Sequence, residues 1–415
     1  MKFCGALRQK GCLILGLMWW ILGVTACTAD EPASDVCNIE SPAGPAVENA
    51  KVTATSTVDI AAISTVDGWV DTLEVVQASA FVLNPKGQVV IPDFALGEAF
   101  LIDADRNAVE RIAPRGEGPG ELSRPVAAEW SAENEVVVLD LGNSRVEWLD
   151  VEDGSSSSER LSGEFVGAVT QGGELGWASV LANGMAFVEV PDRGLDDASE
   201  QRVVVRHHLP TNATDTVVVA HHPTVEVPGM GDVASPGSPS AEADARSGRL
   251  AIAPRTDRYE VEIYHPEATP GLDVAEVHFC SSLGEEAEAR TAASVVQGRE
   301  RFFQGLSDNE ARDAAKEAFS DLSSEEENAV IHDLHVDREG RVWVGRTAQI
   351  PEDQDDALYG VEGGTYDIFS HDGQFLNTVT LPNDVRFQGS VGDTLLGLHL
   401  DGFGVPSLQL FEMIE

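Results

Sequence analysis

The feature that most constrains this chain is a recurring polar hairpin phrase that leads into an apolar strand. It appears as Asn84-Pro85-Lys86-Gly87-Gln88-Val89, as Arg246-Ser247-Gly248-Arg249-Leu250, and as Asp337-Arg338-Glu339-Gly340-Arg341-Val342-Trp343-Val344. Each reads as a tight turn whose glycine takes a positive φ before a strand begins. From about Lys51 to Glu415, short β-type runs are separated by Gly, Asp, Asn and Pro, the pattern of a sandwich, barrel or propeller. The length is large for one sandwich, whereas radial repetition accommodates it without one oversized core. The recurring units are Val75 to Ile112, Val126 to Leu161, Glu164 to Val219, Arg249 to Phe279, His332 to Leu381 and Val385 to Met413.

Between the first two units lies Arg115-Gly116-Glu117-Gly118-Pro119-Gly120-Glu121. Three glycines and a proline in that span cannot be the interior of a strand or helix. Pro119, and the strand that follows where a helix is required, exclude a dinucleotide fingerprint. The stretch reads as the connection from the outer strand of one unit to the inner strand of the next, and marks the fold rather than a site.

The Gly-x-Gly-Pro-Gly-Glu turn, the Asp-x-x-Gly-Arg-Val-Trp-Val hairpin and the ending Tyr366-Asp367-Ile368-Phe369, Gly373, Leu381-Pro382, Gly392-Asp393-Thr394-Leu395 and Asp401 resemble bacterial six-bladed β-propeller lipoproteins of the NHL-repeat-like group. The resemblance covers most of residues 70 to 415. It implies an all-β, six-bladed β-propeller and no single activity. It also implies that Lys51 to Val58 supplies the strand closing the ring with the last blade, which would otherwise expose an unpaired edge. The third and fourth units are loosely patterned.

Residues 1–26 read as an export signal: Lys2, Arg8 and Lys10 precede the apolar run Leu13 to Val24, which is short for a membrane span. It ends at Val24-Thr25-Ala26-Cys27, which resembles a lipobox, with Cys27 as the lipidated residue. The plainer alternative is a secretory peptide cut near Ala26. Thr28 is not the Asp of an inner-membrane retention signal, which favours the outer membrane. Residues 27–49 are rich in Ala, Ser, Pro, Glu and Asp and read as a flexible tether, leaving 50–415 as the propeller. The membrane is thus an expected partner through lipid rather than through a spanning segment.

The chain has 70 acidic and 27 basic residues; loss of Lys2, Arg8 and Lys10 with the signal leaves 24 basic ones and a formal charge of −46. Nucleic acid is excluded as a partner, since binding it needs a basic footprint. The acids are dispersed, as on a solvated face. Cys37 and Cys280 are an available disulfide pair in an oxidising envelope compartment. Residues 285–327 carry helix formers without proline, with Ser307 placed as a cap before Glu310, and read as a helical insertion that either covers a mouth of the ring or packs at its edge.

Candidates for chemistry are few. Asp333, His335 and Asp337 alternate along an expected innermost strand and project to one face, where Asp333 and His335 suit a metal or ligand. The plainer reading makes Asp337 the start of the hairpin and His335 a satisfied lining residue. His207-His208 and His221-His222 read as surface pairs, because strand neighbours point to opposite faces and two ligands do not close a metal site. Glu352-Asp353-Gln354-Asp355-Asp356 lacks the spacing of a calcium loop. No nucleophile elbow, phosphate loop, His-Glu-x-x-His or Cys-x-x-Cys is present, so no catalytic residue is assigned. The expectation is a lipid-anchored envelope module that binds or scaffolds a protein or small molecule, without a cofactor. The alternative is a lactonase- or lyase-type enzyme holding a divalent cation such as calcium in its central funnel.

Overall fold

The computed structural model describes residues 46–49, 57–66, 78–103, 108–172, 178–180, 185–191, 201–221, 224–227, 231–234, 240–243, 249–253, 259–264, 277–281, 312, 316, 331–346, 364–382, 384–400 and 406–414. Two strands precede the repeats, β1 (Ala46–Asn49) and β2 (Thr57–Val66). The first blade is β3 (Val82–Leu83), β4 (Gln88–Asp93), β5 (Glu98–Asp103) and β6 (Ala108–Ala113). The second is β7 (Pro125–Trp130), β8 (Glu135–Asp140), β9 (Arg145–Asp150) and β10 (Ser156–Arg160).

After helix α1 (Gly163–Gly172) comes the third blade: β11 (Ala178–Val180), β12 (Ala186–Pro191), β13 (Gln201–His208) and β14 (Ala213–His221). A separate hairpin, β15 (Thr224–Val227) and β16 (Gly231–Ala234), precedes the fourth blade of β17 (Ser240–Ala243), β18 (Leu250–Ala253), β19 (Glu260–Tyr264) and β20 (Val277–Ser281). The fifth is β21 (Ile331–Val336), β22 (Val342–Arg346), β23 (Thr365–Phe369) and β24 (Phe375–Thr380). In the last, β25 (Val385–Val391), β26 (Thr394–Leu400) and β27 (Pro406–Ile414) receive β2 as their fourth strand.

The sheets form a β-propeller. Within each blade the strands follow one another antiparallel, the first innermost. Neighbouring blades share apolar cores: Leu122, Trp130 and Val138 join the first and second, Val137, Phe165 and Val188 the second and third, Val261, Leu334 and Phe369 the fourth and fifth, Trp343, Tyr366 and Phe387 the fifth and sixth, and Ile91, Leu396 and Leu410 the sixth and first. Strand β11 lies against β17, completing the circuit between the third and fourth. Because each blade is covered on both faces, its middle strands are continuous apolar runs such as Val136 to Leu139 rather than alternating ones.

The hairpin phrases do what their residues dictate. Asn84 Oδ1 accepts from the amides of Lys86 (2.9 Å) and Gln88 (3.0 Å), and Asp337 Oδ1 accepts from those of Glu339 (3.1 Å) and Arg341 (2.8 Å). Gly340 at φ 77° closes the second of these turns, a conformation that costs a residue with a β-carbon. The Arg115 stretch connects β6 to β7. Arg145 donates to the carbonyls of Gly118 (2.7 Å) and Glu121 (2.6 Å), and buried Glu147 accepts from the Gly120 amide at 2.6 Å. Arg145 and Glu147 therefore fix the backbone of that loop, while the Arg115 and Glu117 side chains stay exposed. Burial pushes the Glu147 carboxyl up, opposed by the Gly120 amide and Arg145.

Three expectations change. The closing strand is Thr57–Val66 rather than 51–58: residues Asp59 to Val66 pair antiparallel with β27, and Ile60 packs on the core of Phe387 and Phe411. The N-terminal segment also does more than close one blade. Strand β1 adds in parallel to β20, and Thr57 and Val58 pair in parallel with Thr378 and Val379 of β24. It thus lines the outer edges of the fourth, fifth and sixth blades in succession.

The third unit does not begin with a strand at Glu164. Ser162 Oγ accepts from the Phe165 amide at 3.0 Å and caps α1, whose Phe165 and Val169 are buried four residues apart on one face. The blade itself begins at Ala178. Nor are the histidine pairs all on the surface. His207 is fully buried against Phe165, with ring centroids 5.3 Å apart, and its Nδ1 lies 3.1 Å from Thr214 Oγ1. Partner register places His221 opposite Gln201, at the other end of the β13–β14 hairpin from His207. His222, Cys27, Cys37 and the acidic loop Glu352 to Asp356 lie outside the described residues, as does the 285–327 insertion apart from Arg312 and Lys316. Cys280 is in β20, opposite Glu260.

Candidate functional site

The inner strands enclose a central cavity of about 260 Å³. Its walls come from the ends and faces of β3, β7, β11, β21 and β25. Alternation along β21 sends Leu334 and Val336 into the core shared with the fourth blade. Asp333, His335 and Asp337 take the opposite side, as the period of two requires. That side is the inner margin of the interface with the sixth blade, where the three residues also border the cavity.

Asp333 is held by two neutral donors. Its Oδ2 accepts from the Tyr366 hydroxyl at 2.9 Å and its Oδ1 from the Leu334 amide at 3.0 Å. Burial, then the Asp333 charge, push the Tyr366 phenol well above its ordinary value, so this hydroxyl stays a donor. His335 stands edge-on to Phe387 at 5.3 Å, and a β-carbon at Gly389 would lie 3.3 Å from its Cε1. The glycine therefore lets β25 approach the imidazole.

Asp337 is a structural anchor, in keeping with its place at the start of the hairpin. Its Oδ2 accepts from Arg341 Nε at 2.6 Å and from Trp343 Nε1 at 2.8 Å, besides the two amides on Oδ1. A carboxylate with this many donors has little left to offer a ligand. Arg341 continues the link by donating to the Gly392 carbonyl of the sixth blade.

Two arginines at this cavity behave differently. Arg338 is buried; its Nη2 donates to the Trp130 carbonyl at 2.6 Å, and its Nε lies 3.4 Å from Glu129 Oε1. Since two blades separate the fifth from the second in either direction, this contact crosses the ring near the ends of the inner strands. Arg386 is exposed and has no ion pair among the described residues. Among those residues no three His, Cys, Asp or Glu side chains converge as a metal site.

Asp333 and His335 thus both reach the cavity. Sequence reasoning missed Arg386, although the alternation Val385-Arg386-Phe387-Gln388 carried the signal: Val385 and Phe387 enter the core and the polar pair remains at the inner margin. It also missed Arg338 and Glu129, which look like turn and strand-end residues until the ring brings them together.

No family model and no curated protein matches the chain. Among solved structures it is similar to a calcium-binding protein, regucalcin, from Agrobacterium tumefaciens, at 10% identity over 85% of this chain and 95% of that one, TM-score 0.40. It is similar as well to a member of the DUF4221 family from Bacteroides vulgatus, at 8% identity, 86% and 98% coverage and TM-score 0.44. A third is virginiamycin B lyase from Staphylococcus aureus, at 9% identity, 86% and 100% coverage and TM-score 0.38.

Proposed function

We propose that this chain is a six-bladed β-propeller lipoprotein, tethered through Cys27 to the outer membrane of a bacterial envelope, that works as a binding module with its central cavity as the ligand site. The observation that carries the binding reading is the state of the cavity's carboxylates. Asp337 is saturated by protein donors, Glu129 is paired with Arg338, and Asp333 is held by Tyr366 and a backbone amide. Asp337 and Glu129 are thus spent on the fold, whereas Asp333 is fixed in orientation by Tyr366 and keeps acceptor capacity for a ligand. The tether rests on the signal, the Cys27 context and the composition of residues 27–49.

The test uses the full chain in detergent. Melting is followed with a panel of small molecules before and after chelation, and each ligand is assayed for conversion. Stabilisation that survives chelation, with the ligand recovered unchanged, is the expected result; turnover of a bound compound would replace this reading with an enzymatic one. Incorporation of labelled palmitate, lost in Cys27→Ala, tests the anchor separately.

A further inference from the structure

The cavity contains two opposite charges that are not neutralised by each other. Among the described residues the donors to Asp333 are both neutral, and Arg386, one blade away and close enough for its charge to act on Tyr366, makes no ion pair. The remaining charges at the cavity do pair: Glu129 with Arg338, and Asp337 with Arg341. Asp333 is part-buried and Arg386 exposed, so a ligand seated against both would exclude water and strengthen its attraction to each.

We propose that the pair is completed by the ligand, and that this ligand is a small zwitterion with one carboxylate and one ammonium group, a free α-amino acid being the simplest. The Arg386 guanidinium presents a planar fork suited to a carboxylate. The Asp333 carboxylate has acceptor capacity beyond its two internal donors for an ammonium group, and Tyr366 fixes its orientation. A volume of about 260 Å³ sits at the small end of ligand pockets and suits a compact molecule. A dianion is disfavoured, because the Asp333 charge would face its second negative group. The inference rests on the binding reading above and narrows it to one ligand class.

The experiment is calorimetric titration of the full chain in detergent with glycine, alanine and serine, and with N-acetylalanine and alaninamide, which each lack one of the two charges. The expected result is binding of at least one free amino acid, with the matching blocked forms weaker by about tenfold or more. Arg386→Gln should abolish the penalty for blocking the carboxylate, and Asp333→Asn the penalty for blocking the ammonium. Arg111→Gln, an exposed change of equal charge on the first blade, should leave both unchanged. The inference is overturned if no free amino acid binds, if the blocked compounds bind as well as alanine, or if Arg386→Gln leaves the preference intact. Should other small molecules stabilise the chain while zwitterions do not, the binding reading stands and this one fails.

Discussion

The guanidinium of Arg338, on a hairpin of the fifth blade, donates to the carbonyl oxygen of Trp130 in the second at 2.6 Å, so two residues 208 apart in sequence meet across the ring. Both belong to the ends of inner strands, and Trp130 passes the link on by donating from its indole to the Val82 carbonyl at 2.9 Å. Three of the blades are therefore tied by polar contacts at one end of the cavity.

Arg338→Met removes the cross-ring donor to the Trp130 carbonyl and the cation beside Glu129. The loss of stability should be about 2–4 kcal/mol, measured by denaturant unfolding. Arg338→Lys should recover less than half of it, because an ammonium cannot serve the carbonyl and the carboxylate with the same fork. A loss below about 0.5 kcal/mol in Arg338→Met would mean that the contact has no structural weight.

Asp337→Ala strips four donors of one carboxylate, among them the Trp343 indole in a buried site. A cost of about 3 kcal/mol is expected, with a changed near-ultraviolet spectrum as Trp343 loses its fixed setting against Phe387. Asp337→Asn, which keeps the shape and the acceptor on one side, should cost less.

Burial depresses the proton affinity of the His207 ring below the ordinary value of 6.5, opposed by the Ala213 backbone and aided by the neighbouring His208. The unfolded chain takes up a proton there that the folded one refuses. The stability this contributes is present above the ordinary value and is lost as pH falls through it toward the folded one. Melting temperature should consequently fall more steeply between about pH 7 and pH 5 in the natural chain than in His207→Gln. Parallel curves for the two would exclude His207 as the source.

The closing strand supplies a fourth test. Removing residues 1–66 leaves the edges of β24 and β27 unpaired and uncovers the face that Ile60 occupies, whereas removing residues 1–45 spares every strand described. The first truncation should aggregate or bind a hydrophobic dye, and the second should melt close to the full chain. Equal behaviour of the two would deny β2 its role in closure.

What the sequence disclosed follows from distance along the chain. Turns are local, so Asn84 and Asp337, each bonding amides two and four residues on, announced the hairpins and hence the repeat. Periodicity of two is also local, and it put Asp333 and His335 on one side of β21. Which neighbour that side would meet is a property of the ring, and the sixth blade supplied Phe387 and Gly389 there. Helix α1 stayed hidden because its single cap, Ser162, and its two buried residues lie among strands of similar composition. Arg338 was hidden for the opposite reason: nothing near it in sequence marks a side chain whose partner is half the molecule away.

The succession of β1, Thr57–Val58 and Asp59–Val66 along three blade edges bears on mechanics. Any pull arriving from residues before Ala46 meets β1 first, a four-residue attachment to the fourth blade, and reaches the strand that closes the circle only after β1 has let go. The weak attachment yields ahead of the strong one, as strain relief on a cable protects its joint. A molecule tugged by its leading end would thus give slack without breaking open, and its cavity would keep its shape.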